Sequence, residues 1–185
     1  MRTQMVQSGI IMGTGDVISQ FAIERKDHLE VDRCLRFAAI GSIFVAPIIR
    51  MWYLKLEKIF GPSVTIKSTL GKVATDQFGF APIFTGVIIG VIGTSQSLTN
   101  YVRQSEPQEK KYDTLRQDIS NIGKKLKAEY VDIVITGWKI WPAAQLANFY
   151  LVPFLLRPLV VSVVALFWNT YLAWKTNQGI VSEKN

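Results

Sequence analysis

Residues 77–102 read QFGFAPIFTGVIIGVIGTSQSLTNYV, and none of them is charged. A helix crosses a hydrocarbon core of about 30 Å with about 20 residues, so this stretch can span a bilayer with residues to spare. The flanking chain repeats the pattern. Residues 35–54 are apolar apart from Arg36 near their start and Arg50 near their end, and residues 5–23 carry a single charge, Asp16. On the other side, residues 140–174 carry only Arg157. That block is too long for one straight span, and Pro142, Pro153 and Pro158 interrupt it. Proline removes a backbone donor and kinks or ends a helix. The reading is a Pro-broken helix over about 130–152 followed by a last span over about 154–174.

The chain has 185 residues, 49% of them hydrophobic and only 19% charged, with a net charge of +7. Lys and Arg cluster between the apolar blocks, in 24–36, 55–72 and 103–129. This suits loops that flank membrane spans better than a nucleic-acid patch, and no zinc-finger, RNA-binding or phosphate-loop motif accompanies the charge. The polar segment 103–129 is itself periodic. Tyr112, Leu115, Ile119, Ile122, Leu126 and Tyr130 recur at three and four residues, one face of a helix. This predicts an amphipathic helix over about 110–130, on the membrane surface or packed on the protein.

The predicted fold is therefore all-α: a polytopic membrane helix bundle forming one domain over 1–185. Four spans are expected, at about 5–23, 35–54, 77–99 and 154–174, with the Pro-interrupted and amphipathic helices in addition; five spans is the alternative if 130–152 crosses. With four spans, 24–36 and 103–129 share one side and hold eleven Lys and Arg against seven on the other. The positive-inside rule then puts 103–129 in the matrix or cytosol. Residues 1–8 lack the pattern of a secretory signal, so any organelle address is expected within the chain.

Small residues predict where helices touch. Gly9, Gly13, Asp16 and Gln20 are spaced four, three and four; Asp76, Gly79, Ile83, Gly86, Gly90, Gly93 and Ser97 continue the same spacing in the third block. In lipid, helix association relies on close backbone approach at such residues, so Gly9, Gly13, Gly79, Gly86, Gly90 and Gly93 are candidate packing positions. The same faces carry Asp16 and Asp76. An ionisable group within the membrane is costly unless paired or hydrated. Arg36, Arg50 and Arg157 are the expected partners, and Gln20 and Gln77 neighbour the two aspartates. Either the charges pair and lock the bundle, or they line an aqueous path. Trp138, Trp141, Gln145, Asn148 and Val152 form a further stripe of interfacial indoles and amides able to bond between helices.

Enzyme chemistry finds no support. One cysteine, Cys34, and one histidine, His28, cannot build a usual zinc site, and no Gly-x-Ser-x-Gly nucleophile motif occurs. No metal or other cofactor is expected, and nucleic acid is not expected to bind directly.

The run Trp141-Pro142-Ala143-Ala144-Gln145-Leu146-Ala147-Asn148-Phe149-Tyr150-Leu151-Val152-Pro153 resembles the signature of the Mpv-seventeen / twenty-two-kilodalton peroxisomal membrane protein family. Gly15-Asp16 with Ser19-Gln20, Ala46-Pro47 with Trp52-Tyr53, Lys72 with Asp76-Gln77, Ala81-Pro82, Arg157, and Trp168-Asn169 with Tyr171-Leu172 follow in the family's order. The wording from Gln145 to Pro153 is nearest the Mpv-seventeen branch. Ala46 stands where the family usually has Gly, and Arg50 where many members have His. The resemblance implies a mitochondrial inner-membrane protein of about four spans, with the peroxisomal membrane as alternative. It implies a non-selective channel that modulates membrane potential and supports mitochondrial DNA and nucleotide homeostasis and reactive-oxygen metabolism. The competing reading is a non-conducting scaffold. The expected partner is the lipid bilayer, with a homo-oligomer or membrane complex left open.

Overall fold

The computed structural model describes residues 1–61, 65–103, 108–153 and 156–181. Their regular structure is entirely helical. We number five helices. α1 is Arg2–Ile18, continued by a π-helical turn Ser19–Ile23. α2 is Val31–Phe60, α3 is Ile66–Arg103, α4 is Gln108–Tyr150 and α5 is Arg157–Val181. α2 stops at Gly61, whose φ of 74° opens the turn. α3 starts on Thr65, whose hydroxyl accepts from the Ser68 amide at 3.2 Å.

Two of these helices contain a wide turn. Residues 40–45 of α2 and 75–80 of α3 are π-helical, and each lies just before or over the turn preceding a proline, Pro47 and Pro82. A proline ring pushes on the carbonyl four residues back and offers it no N–H. Widening the turn relieves that conflict without ending the helix.

Among the described residues three helices are long and apolar enough to cross a membrane, α2, α3 and the Arg157–Gln178 part of α5, so the fourth expected span is not confirmed. α1 is not among them. Arg2, Gln4, Gln7, Ser8, Asp16 and Gln20 dilute its apolar character. The expected pair of helices at 110–130 and 130–152 is one 43-residue helix, with Pro142 inside it. At 1.5 Å per residue α4 is about 65 Å long. Its periodic face from Tyr112 to Tyr130 packs along α3: Tyr101 meets Tyr112 at 6.1 Å between rings, and the Tyr130 hydroxyl donates to the Pro82 carbonyl at 3.1 Å. The start expected for the last span, 154–155, lies outside the described residues; α5 begins at Arg157 with Pro158 in its first turn, where a missing N–H costs nothing.

α1 lies between α2 and α5, α3 packs on α4, and α4 on α5. The apolar core sits at mid-height, where Met12, Phe37, Ile40, Ile88, Ile89, Ile92, Ile133, Leu172 and Ala173 from all five helices meet. Large apolar side chains elsewhere face outward, among them Ile43, Phe78, Ile83 and Phe167, as a lipid-facing surface requires. Close approach falls at some glycines only. A Cβ on Gly9 would run into the Ser42 hydroxyl, one on Gly13 would lie 3.3 Å from Ala38 Cβ, and one on Gly93 would lie 2.9 Å from Ile122. Gly86 makes ordinary contact with Tyr130, whereas Gly79 and Gly90 have nothing within 4 Å. The glycine stripe of α3 is thus half seam and half open surface. Three unexpected glycines are tight: Gly15 against Asn169 and Thr170 (3.0 Å), Gly41 against the Ser8 carbonyl (2.6 Å), and Gly71 against the Phe60 ring (2.5 Å).

Candidate functional site: a one-ended cavity around Asp76

Asp16, buried, and Asp76, half-buried, have different surroundings. Asp16, fully buried, belongs to a closed ionic lock where α1 meets α2. Arg33 donates from Nε to Asp16 at 2.7 Å and forks onto both Glu24 oxygens at 2.8 and 2.6 Å. Gln20 donates to the second Asp16 oxygen at 2.8 Å and accepts the Glu30 amide at 2.8 Å. Ser19 and Lys26 complete the shell around Glu24. Burial alone would raise the Glu24 carboxyl, but the hydrogen bonds from Arg33 and Ser19 and the Arg33 charge prevail and hold it at about 2. Every charge here has a partner, so the arrangement can fasten two helices but offers no free group to a ligand.

Asp76 sits on the wide turn of α3 in a cavity of about 620 Å³ lined by all five helices. Trp52 Nε1 of α2 donates to Oδ1 at 2.7 Å. Gln77 and Gln145 donate their amide nitrogens to Oδ2 at 3.0 and 3.4 Å. The Trp138 indole donates to the Gln77 backbone carbonyl at 2.8 Å. Among the described residues no cation lies within ion-pair distance of Asp76. Trp52 stacks on Phe80 with centroids 4.6 Å apart and planes 9° apart, and Phe80 stacks on Phe84 at 5.0 Å. Trp138, Trp141 and Trp168 line the same space. The mouth carries the exposed residues Gln4, Gln7, Arg50 and Glu57, and the far end is floored by Met12, Ile88 and Leu172 of the apolar core. The cavity wall thus runs from exposed polar residues to the buried apolar core.

The sequence-predicted residues divide between these places. Gln20 joins Asp16 in the lock, and the arginine that pairs there is Arg33 rather than Arg36. Arg50 donates to Gln4 at 2.8 Å at the cavity mouth. Arg157 donates to the Val152 carbonyl at 3.2 Å, next to Pro153 in the α4–α5 connection. Of the signature residues, Trp141, Gln145, Trp168 and Asn169 line the cavity, and Trp141 meets Trp168 edge-on at 6.3 Å. Pro142 lies inside α4 beside them, Asn148 is buried near its end, and the Phe149 side chain lies outside the described residues. Sequence reasoning missed Arg33 and Glu24, and it did not connect Trp52 to Asp76. Only the distances between helices join these pairs; an Arg two residues into the helix that follows a buried acid was the available hint for Arg33.

Comparison with known proteins follows this geometry. The sequence model of the Mpv17 / PMP22 family matches residues 115–173, the second half of the bundle. The chain is 35% identical over 179 residues to the mitochondrial inner membrane protein Mpv17 of Danio rerio, covering 96% of this chain and 90% of that protein. The Homo sapiens protein of the same name is 36% identical with the same coverage. Protein sym-1 of Neurospora crassa is 30% identical, covering 95% of this chain and 91% of that protein. No solved structure matches. With a likeness that runs from end to end of both chains, this protein belongs to the Mpv17/PMP22 family and resides in the mitochondrial inner membrane.

Proposed function

We propose that the protein is a channel-like conduit of low selectivity, with the Asp76 cavity as its vestibule, and that it is not an enzyme. The observation that carries this reading is the cavity itself: about 620 Å³ of space, mostly apolar in its walls but holding Asp76, Gln77 and Gln145, inside a bundle whose outer surface is apolar. Its size falls within the range of small-solute sites, roughly 300–1,000 Å³. An intramembrane carboxylate facing such a space is a functional pointer. The family resemblance adds the expected context: control of membrane potential, support of mitochondrial DNA and nucleotide homeostasis, and reactive-oxygen metabolism. In planar bilayers the purified protein should pass current above that of empty membranes, and Asp76→Asn should alter it. Asp16→Asn should lower stability and leave single-channel conductance alone. Absence of current under all voltages would remove the channel reading.

The apolar floor favours a second reading, a non-conducting scaffold within a homo-oligomer or membrane complex. It requires no conductance and a partner that co-purifies with the wild type but is lost when the exposed Val131 and Ile135 of α4, off the face that packs on α3, are replaced by Ser. Deleting 103–129 is no test, because residues 108–129 of that segment are the first half of α4, which packs on α3.

A further inference from the structure

We infer that the Asp76 cavity preferentially binds the head of an organic primary amine in its ammonium form. This rests on the vestibule reading above and names the chemistry that the vestibule prefers. The argument starts from which hydrogen-bonding groups at the site are already used. The two indole donors that reach this cluster are engaged, Trp52 with Asp76 and Trp138 with the Gln77 carbonyl. Both amide nitrogens are also engaged, on Asp76 Oδ2. What remains on the two amides is acceptors. Gln77 Oε1 and Gln145 Oε1 are buried and have no hydrogen-bond partner, and Gln77 as a whole is only 3% exposed. The nitrogen of each amide rests on the same carboxylate oxygen, so both free carbonyls belong to side chains of one cluster with Asp76.

A buried acceptor without a donor costs about 1–3 kcal/mol, and two of them belong to the amides that bond Asp76, a carboxylate with no ion-pair partner among the described residues. An ammonium supplies three N–H donors and one positive charge, and has no acceptor to spare. The walls agree: Trp52, Phe80 and Phe84 present stacked ring faces, and Trp138, Trp141 and Trp168 add indoles, surfaces that attract a cation and pack its apolar tail. An anion would meet the Asp76 carboxylate and two carbonyl oxygens. A hydroxyl compound would offer a single donor.

The test uses full-length protein in neutral lipid nanodiscs with phenethylamine hydrochloride as probe, read by quenching or shift of intrinsic tryptophan fluorescence. Its alcohol isostere, 2-phenylethanol, and the anion phenylacetate are the controls. Phenethylamine should bind at least about tenfold more tightly than either control, a charge-assisted hydrogen bond contributing roughly that much. Asp76→Asn should erase the preference. Gln145→Met, close in volume, should weaken amine binding severalfold and leave the alcohol unchanged, with thermal melts confirming that each variant is folded. Equal binding of all three probes, tighter binding of phenylacetate, or an amine preference that survives Asp76→Asn would overturn the inference. Should either variant fail to fold, a displaceable amine preference in the wild type at pH 7 that disappears for the N,N,N-trimethyl analogue supports it, since that cation has no N–H; equal affinity for the two cations would overturn it. A protein that binds amines but never conducts sinks the channel reading alone, and one that conducts without amine preference sinks only this one.

Discussion

Replacing Arg33 with Met tests the ionic lock most directly. The guanidinium makes three charged hydrogen bonds of 2.6–2.8 Å, one to Asp16 and two to Glu24. Its side chain is 3% exposed and that of Asp16 is not exposed at all. Met keeps the apolar stem and removes the charge, leaving Asp16 buried with the neutral Gln20 amide and Cys34 thiol beside it. Removing one partner of a buried pair costs about 3–5 kcal/mol, because an uncompensated charge stays behind. For a chain of this size that corresponds to a fall in Tm on the order of 10 °C. Melts in detergent followed by tryptophan emission and by size-exclusion recovery would read it. Two companions sharpen the result. Arg36→Met, one turn along the same helix and half-buried, should change stability by less than about 1 kcal/mol, as ordinary substitutions away from a network do. Asp16→Asn placed on Arg33→Met should recover stability, since it removes the stranded charge. An Arg33→Met protein as stable as Arg36→Met, or one made worse by Asp16→Asn, would refute the reasoning.

Other consequences are simpler to state. Glu24 has its carboxyl pulled from the usual 4.5 to about 2 by the folded state, so its contribution is complete above about pH 4.5 and is lost as pH falls from there toward 2; melts across that window should steepen in the wild type and flatten in Glu24→Gln. Gly41→Ala drives a methyl onto the Ser8 carbonyl and should destabilise by about 1–3 kcal/mol, as overpacking does. Gly90→Ala, with open space around it, should be neutral or slightly stabilising in the same melt, because Ala is the better helix former. Trp52→Phe keeps the stack on Phe80 but removes the donor to Asp76; it should alter channel current in the same sense as other changes at Asp76 while Tm falls by no more than about 1–3 kcal/mol of equivalent stability.

The helices were legible where apolar blocks were long, because span length is a simple consequence of bilayer thickness. What failed was phase and partnership. A 3.6-residue count carries Asp76 and Gly79 onto the face of Gly86, but residues 75–80 form a π turn that takes one residue more, so positions before it rotate out of register and Gly79 faces open space. Pro142 reads as a break, yet α4 continues past it because its neighbours hold the helix on both sides. Arg36 and Arg33 both follow the same connection; which one reaches Asp16 depends on the angle between α1 and α2, which local spacing does not encode. The amides of the signature run are a different case. Gln145 was readable as a residue able to bond between helices, and it does bond to Asp76 of α3, but only the packed bundle reveals that its carbonyl is left over.

The mid-height apolar layer has an electrical consequence. A water-filled hollow shares the potential of the compartment it opens to, whereas a dry layer of Met12, Phe37, Ile88, Ile92, Ile133 and Leu172 does not conduct. Under the vestibule reading, with water in the cavity, most of the inner-membrane voltage would fall across those few side chains, about 2.3 kcal/mol per elementary charge for each 100 mV, and Asp76 would feel little of the field. A charged solute would do its electrical work in crossing that layer, and substitutions there, rather than at the carboxylate, should set how steeply any current depends on voltage.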